Sequence, residues 1–400
     1  MATNSLLTIN MITNEALRLF RNSNYFLNVI SKQYDDSFAK TGAKIGTTLR
    51  IRLPNDYIVT TGKTVTPENT TELNTTLTVA TQKNVPISFG SAEKALSLDM
   101  FSSRILKPAV NNLAGAVAAD IMNAVEMGCN YISKTDGSGN LLTPDATTWL
   151  LAGAKLDNNS APKADRKIIL DPLTQARTVG SLAGLFNPQR KIDGQYMTGE
   201  MSTDTLGFDW GMDQTVIKHT NGSFTAGTVG AASQTGNTLA TNAITGSLNQ
   251  GDIITIAGVF AINRITKATT GELQQFVVTA PVLTGATSIP IYPAITPGNV
   301  QYGTVTASPA ANAVITLLGG ANLVYRKNFA FHPEAFTMAA ADLELPNGVQ
   351  DASRAQYDGI SMRIVSQFAI LSDDFITRLD ILYGYQAIRP EWIVCVADVL

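Results

Sequence analysis

The sequence predicts an α+β protein with a separate all-β domain inserted into it. Three observations point there. Apolar residues recur at helical steps through 101–132, from Ile105 and Ala109 to Ala124 and Val125, and Asp120 falls on the same stripe. Strand-like alternation marks 49–53, 77–89, 361–370 and 377–386. The block from Asn221 to Tyr325 carries only four charged residues, Asp252, Arg264, Lys267 and Glu272, against 29 basic and 32 acidic residues in the chain.

The chain opens with TNEALRLFRNSNYFLNVISK (13–32), where a Thr/Asn cap precedes Leu17, Phe20, Phe26, Val29 and Ile30 at helical spacings. One or two short helices fit, an arm that packs on something else. In TLRIRL, Leu49, Ile51 and Leu53 face one way and Arg50 and Arg52 the other, because side chains alternate along a strand. About thirty residues poor in large apolar side chains follow, and the run Leu77–Phe89 reads as the returning strand of a long hairpin. The helical stretch after Phe101 is a rod of about 40 Å at 1.5 Å per residue. Pro108 either occupies its first turn or kinks it. TPDATTWLLAGAKL predicts a helix with Thr143 as cap and Pro144 first in the helix. KIIL (167–170) is a strand, followed by Asp171 as cap and a helix through Leu185 that Asn187 and Pro188 stop. In the low-charge block, DIITIAGV, LQQFVVTA and TSIPIYPAI alternate with Gly, Asn and Pro signals, which is the pattern of a β barrel or sandwich.

Composition narrows function. With 44% hydrophobic and 15% charged residues the chain is globular. A net charge of −3 argues against strong neutralisation of nucleic-acid phosphates, so contact with DNA is expected to be weak. Cys129 and Cys395 read as buried free thiols. The amino terminus has no signal-peptide pattern, and no run reaches the ~18 apolar residues of a membrane span, which predicts a soluble protein of a reducing cytoplasm.

Candidate chemistry is sparse. His219, His332 and the two cysteines lie at no ligand spacing for zinc. There is no G-x-S-x-G elbow, and Gly42 and Gly46 lack the phosphate-loop lysine. Asp35–Asp36 and Asp373–Asp374 read as turns or caps rather than a divalent-cation site, and His332 beside Phe331 and Pro333 as a packing residue. No catalytic, cofactor or metal residue is assigned. The charges of the hairpin, Arg50, Arg52, Asp56, Lys63, Glu68 and Glu72, are different. An isolated two-stranded hairpin is marginal in water, so these are candidate intersubunit contacts.

YDDSFAKTGAKIGTTLRIRLPNDY, TQKNVPISF, LFNPQRKIDGQYMTGEMSTDTLGFDWGMDQTVIKHT, NFAFHPEAFTMAAADLELP and RIVSQFAILSDDFITRLDILYG, taken in order, resemble the major coat proteins of short-tailed bacteriophages of the P-twenty-two type. The resemblance implies the capsid fold of tailed phages, the Hong Kong ninety-seven type. It implies an N-terminal arm (1–44), an extended loop (45–90), a peripheral domain with a spine helix (91–134 and 351–400), an axial domain (135–220 and 326–350) and an inserted β domain (221–325). It also implies self-assembly through pentamers and hexamers into an icosahedral shell around double-stranded DNA, with a scaffolding protein and a portal protein as partners. Assembly would take place in the host bacterial cytoplasm, with no cofactor and no membrane. Some relatives form a lysine isopeptide bond from this loop. Lys63 lies near that place, but the branch resembled here does not use the chemistry. Two other readings are an encapsulin-like cellular compartment, to which the insertion is foreign, and a β-rich tail or adhesin module, which leaves the long helix unexplained.

Overall fold

The computed structural model describes residues 9–32, 48–59, 62–63, 69, 72–90, 102–181, 199, 201, 205–370 and 374–400. Glu68, Asp35, Asp36, Asp373, the cap-to-stop stretch beyond Ser181 and residues 91–101 lie outside that set. The chain forms two compact units. The first takes Met1–Arg52, Asn74–Ile121 and Phe336–Ile388, and the second Leu53–Leu73, Met122–Ala335 and Arg389–Leu400.

The first unit begins with helix Ile9–Ser23, whose Ile12, Ala16, Leu17 and Phe20 form one buried stripe. Asn24 caps the next helix, Tyr25–Val29, by accepting the Leu27 amide at 3.1 Å. The expected arm is therefore part of its own unit's core: Phe26 meets Phe336 edge to face at 5.9 Å. Strand β1 (Thr48–Arg52) pairs antiparallel with β2 (Asn74–Thr78), and β3 (Thr81–Gly90) follows. The returning strand of the hairpin is thus 74–78 rather than 77–89. The chain breaks pairing at Val79–Ala80, and β3 enters a different sheet. The long helix is a composite: a π turn over Ser102–Leu106, an α-helix over Lys107–Met122 and a 3-10 turn over Asn123–Met127. Pro108 sits in the first α turn, where a missing N–H costs nothing.

In the second unit, β4 (Asn130–Thr135) and β5 (Leu141–Leu142) precede helix Ala146–Asn158. The cap of that helix is Asp145 rather than Thr143, because Asp145 closes a capping box with Thr148, whose amide donates to it at 2.9 Å. Strand β6 (Lys167–Leu170) leads to helix Pro172–Ser181, which Asp171 caps as expected through the Leu173 amide at 3.0 Å. Strands β7 (Asp209–Met212) and β8 (Lys218–Thr220) complete this approach to the insertion.

The insertion itself contains β9 (Gly236–Ala240), β10 (Ile253–Ile262), β11 (Thr269–Val278), β12 (Ser288–Ile295) and β13 (Ile315–Leu317), in the order β13-β10-β11-β12-β9. Residues 226–230 bond to both edges of this sheet: Val229 N donates to Ala313 O at 3.0 Å, and Gly230 N to Ala240 O at 3.0 Å. The sheet is thereby closed on itself. Its interior is apolar, filled by Phe224, Val229, Ile254, Ile256, Phe276, Ile289 and Val305 among others.

After the insertion come β14 (Val324–Phe331), β15 (Phe336–Ala341), β16 (Asp351–Tyr357), β17 (Ile360–Ala369), β18 (Asp374–Ala387) and β19 (Ile393–Val399). Strands β17 and β18 are the antiparallel pair expected from 361–370 and 377–386. In the first unit β18 is the central strand, bonded to β3, β17 and β15. The first helix packs on β16 and β17. In the second unit the order is β5-β4-β19-β14-β6-β7, with β8 also on β14. Strand β19 lies between β4 and β14, and IVCVADV is buried at every position but its last. Cys129 and Cys395 are free and buried, and burial pushes both thiols up to about 12. Among the described residues no helix is long and apolar enough to cross a membrane.

Candidate functional site: the hairpin face and the anchors of the insertion

The register of the hairpin sorts its side chains. Leu49 lies opposite Leu77 and Ile51 opposite Thr75, while Arg50 lies opposite Thr76 and Arg52 opposite Asn74. Side chains on directly paired residues share a face. One face is buried in its own unit, with Ile51 4% and Leu77 0% exposed. The other, comprising Thr48, Arg50, Arg52, Asn74, Thr76 and Thr78, is exposed throughout. The backbone of β2 comes so close to β18 that a Cβ on Gly384 would sit 2.2 Å from the Thr78 oxygen. The hairpin therefore has an internal footing and one exposed, cationic face.

The six hairpin charges do not form one group. Arg50, Arg52, Lys63 and Glu72 are exposed, Asp56 is half-buried, and Glu68 is outside the described residues. Asp56 is ion-paired with Lys267 of the insertion. Its carboxylate is thus engaged within its own chain.

Lys267 belongs to a pattern. Each of the four charges in the low-charge block pairs with a residue outside that block. Lys267 holds Asp56, Glu272 pairs with Lys155 of helix Ala146–Asn158, Arg264 meets Glu391 at 2.9 Å, and Asp252 meets His219 at 2.9 Å. Glu391 also accepts the Tyr292 hydroxyl at 2.9 Å. A neutral side chain adds to the set: Gln275 brackets Tyr131 of β4, accepting its amide at 2.7 Å and donating to its carbonyl at 2.9 Å, as a neighbouring strand would.

The deepest anchor is a chain of four groups. Asp252, fully buried, accepts from His219 and also from the amides of Gly222 (3.0 Å) and Asn249 (2.8 Å). The other ring nitrogen of His219 lies 2.9 Å from Glu126, and Glu126 accepts from the fully buried Lys327 at 3.0 Å. Lys327 donates as well to Gly251 O at 3.3 Å. Gly251 is obligatory there, since its φ is +90° and a Cβ would lie 1.9 Å from Glu126 Oε2. Both nitrogens of His219 face carboxylates, so both must donate, which is the imidazolium form. Burial lowers the His219 pKa, but the hydrogen bonds to Asp252 and Glu126 outweigh burial and the net shift is upward. Burial raises the Glu126 pKa, and Lys327 and His219 overcome it and bring it down to about 2.

In the first unit Asp120 plays a similar part, accepting from Lys83 of β3 at 2.8 Å and from Tyr383 of β18 at 2.7 Å. His332 packs edge to face on Trp392 at 5.4 Å, as its packing reading expects. Sequence reasoning missed Glu126, His219 and Lys327 as a unit. The one available signal was the insertion's own charge scarcity, since an isolated charge in an apolar block demands a counter-charge.

The profile of the P22 coat protein family, gene protein 5, matches residues 1–396. The chain belongs to that family. It is a major capsid protein, a structural protein rather than an enzyme, that assembles with copies of itself into the icosahedral shell of a phage virion. Membership brings the α+β capsid fold of the Hong Kong ninety-seven type with an inserted domain.

No curated protein matches the chain significantly. Among solved structures, a Mycobacterium phage Che8 chain is 10% identical, covers 93% of this chain and 90% of its own, and has a TM-score of 0.43. The capsid of cyanophage P-SCSP1u is 12% identical over 89% of this chain and 84% of that one, with a TM-score of 0.47. The CUS-3 coat protein I-domain is 29% identical over 24% of this chain and 95% of its own, with a TM-score of 0.20.

Proposed function

We propose that within the shell the hairpin is the intersubunit element and the anchored insertion is its support. The observation that carries this is the division of the hairpin into a face buried in its own chain and an exposed face bearing Arg50 and Arg52. A strand pair that needs only one face for its own stability leaves the other for a neighbour. On this reading Arg50, Arg52, Lys63, Glu68 and Glu72 meet charges of adjacent copies. Each exposed pair is worth only about 0–1 kcal/mol, and repetition over the shell makes small terms sufficient.

The domain roles follow. Residues 1–44 serve as the N-terminal arm, 45–90 as the extended loop, 91–134 with 351–400 as the peripheral domain around the spine helix, and 135–220 with 326–350 as the axial domain. Residues 221–325 form the inserted β barrel. Copies gather as pentamers and hexamers in the host cytoplasm, with a scaffolding protein and a portal protein. The net charge of −3 favours weak, non-specific contact with the packaged double-stranded DNA.

The test is shell formation by purified protein, alone and with the candidate scaffolding protein, scored by negative-stain microscopy for wild type and the double variant R50E/R52E. Closed shells from wild type and their loss in the variant, with monomer folding intact, support the reading. Equal shell yield from both would remove the hairpin face from the interface.

A further inference from the structure

Residues 53–59 follow β1 and have no regular secondary structure, yet the insertion holds them at several points. Lys267 is ion-paired with Asp56 Oδ2, and the Tyr302 amide donates to the same oxygen at 3.1 Å. Gln301 Nε2 donates to the Asp56 carbonyl at 2.6 Å, and the Tyr302 hydroxyl reaches Asn55 Oδ1 at 3.5 Å. The Lys267 side chain is 5% exposed, so its charge is withdrawn from water and depends on this partner.

The two residues that receive the Asp56 carboxylate both have left-handed backbone, with φ 54° at Lys267 and 57° at Tyr302. Bulky residues rarely adopt that conformation, and it persists where the surroundings over-determine it. Asn263 builds the turn that presents Lys267. Its side chain accepts the amides of Ile265 (2.9 Å) and Thr266 (3.1 Å), and its carbonyl accepts the Lys267 amide at 2.8 Å. Two separate turns of the insertion thus spend unfavourable backbone geometry on one carboxylate. Immediately beyond it, Tyr57 and Val59 are 60% and 89% exposed.

We propose that Asp56 and Lys267 form a latch by which the inserted domain sets the direction of the hairpin loop and presents Tyr57 and Val59 to a second copy of the chain. This rests on the reading of the hairpin as the intersubunit element. The second copy is the occupant because this chain assembles with itself. A segment already held in one conformation loses less freedom on docking, so the latch raises the yield of association without adding a contact.

The test is amide hydrogen exchange on the unassembled full chain, followed by shell assembly, for wild type, Asp56→Asn, Lys267→Met, Gln301→Ala and the charge-swapped D56K/K267D. The latch predicts that amides in 53–59 exchange at least about tenfold faster in the single variants while β10 and β11 keep their protection. It predicts further that the swapped pair, which regains the ion pair without the Tyr302 amide contact, restores slow exchange in part, and that shell yield falls and recovers in step. Should Lys267→Met fail to fold, Asp56→Asn and Gln301→Ala carry the same prediction. Unchanged exchange at 53–59 overturns the latch whatever the hairpin does in the shell. Faster exchange with undiminished assembly overturns the presenting role, and the R50E/R52E comparison judges the intersubunit reading separately.

Discussion

His219 and Asp252 meet in the interior of the second unit at 2.9 Å, one from the strand that leads into the insertion and one from within it. With Glu126 on the opposite ring nitrogen, a histidine cation is bracketed by two carboxylates. The join between inserted and host segments is therefore ionic at its centre, beside the apolar interior of the barrel.

A pH dependence follows, with opposite signs at its two ends. His219 has a folded pKa above its usual 6.5, so its contribution is present below 6.5 and is lost as pH rises through the folded value. Glu126 has a folded pKa lowered from 4.5 to about 2, so its contribution is present above 4.5 and is lost as pH falls toward 2. Thermal unfolding of the second unit is expected to peak between those limits and to decline toward alkaline pH. In His219→Gln the alkaline decline should flatten, and a wild-type decline that survives in that variant would contradict the assignment.

Lys327 tests the same network without titration. Removing one partner of a buried pair leaves the other uncompensated and costs about 3–5 kcal/mol, whereas neutralising both costs far less. Lys327→Met is thus expected to destabilise more than the double variant K327M/E126Q, measured by chemical unfolding. The reverse order would show that the pair is not coupled.

Gly384 tests the footing of the hairpin. Its missing Cβ lets β2 approach, and a methyl there would meet the Thr78 oxygen at 2.2 Å. Gly384→Ala is expected to cost about 1–3 kcal/mol by overpacking and to speed amide exchange in β1 and β2. Unchanged exchange would mean that the hairpin stands free of β18.

The N-terminal helices make a fourth prediction. Phe20 and Phe26 are both fully buried in the first unit. Phe20→Ala is expected to cost about 3–5 kcal/mol in the unassembled chain. A truncation of 1–44 therefore removes core as well as an arm, and loss of shells in that mutant would not by itself show an assembly role for the arm. A Phe20→Ala chain as stable as wild type would return these helices to the role of a detachable arm.

Much of the fold was legible in local pattern because its signals are short-range. The 361–370 and 377–386 strands, the Asp171 cap and the long helical stretch each depend on residues within a turn or two. The insertion was legible because four charges in so long a block set it apart. What escaped was long-range or degenerate. Alternation runs on through Leu77 and Val79 into Val85 and Ile87, so nothing local marks the passage from the hairpin to another sheet. Thr143 and Asp145 both offer caps, and only the closing of the box with Thr148 selects the second. Lys327 and Glu126 are 201 residues apart, a pairing that no local spacing encodes.

The most direct test is a cryo-electron microscopy map of the assembled shell, read at the outer face of β1 and β2. The account predicts that Arg50 and Arg52 are covered by an adjacent copy, with carboxylates of that copy within about 4 Å of their guanidinium groups. A map in which this face is open to solvent in every subunit would contradict it.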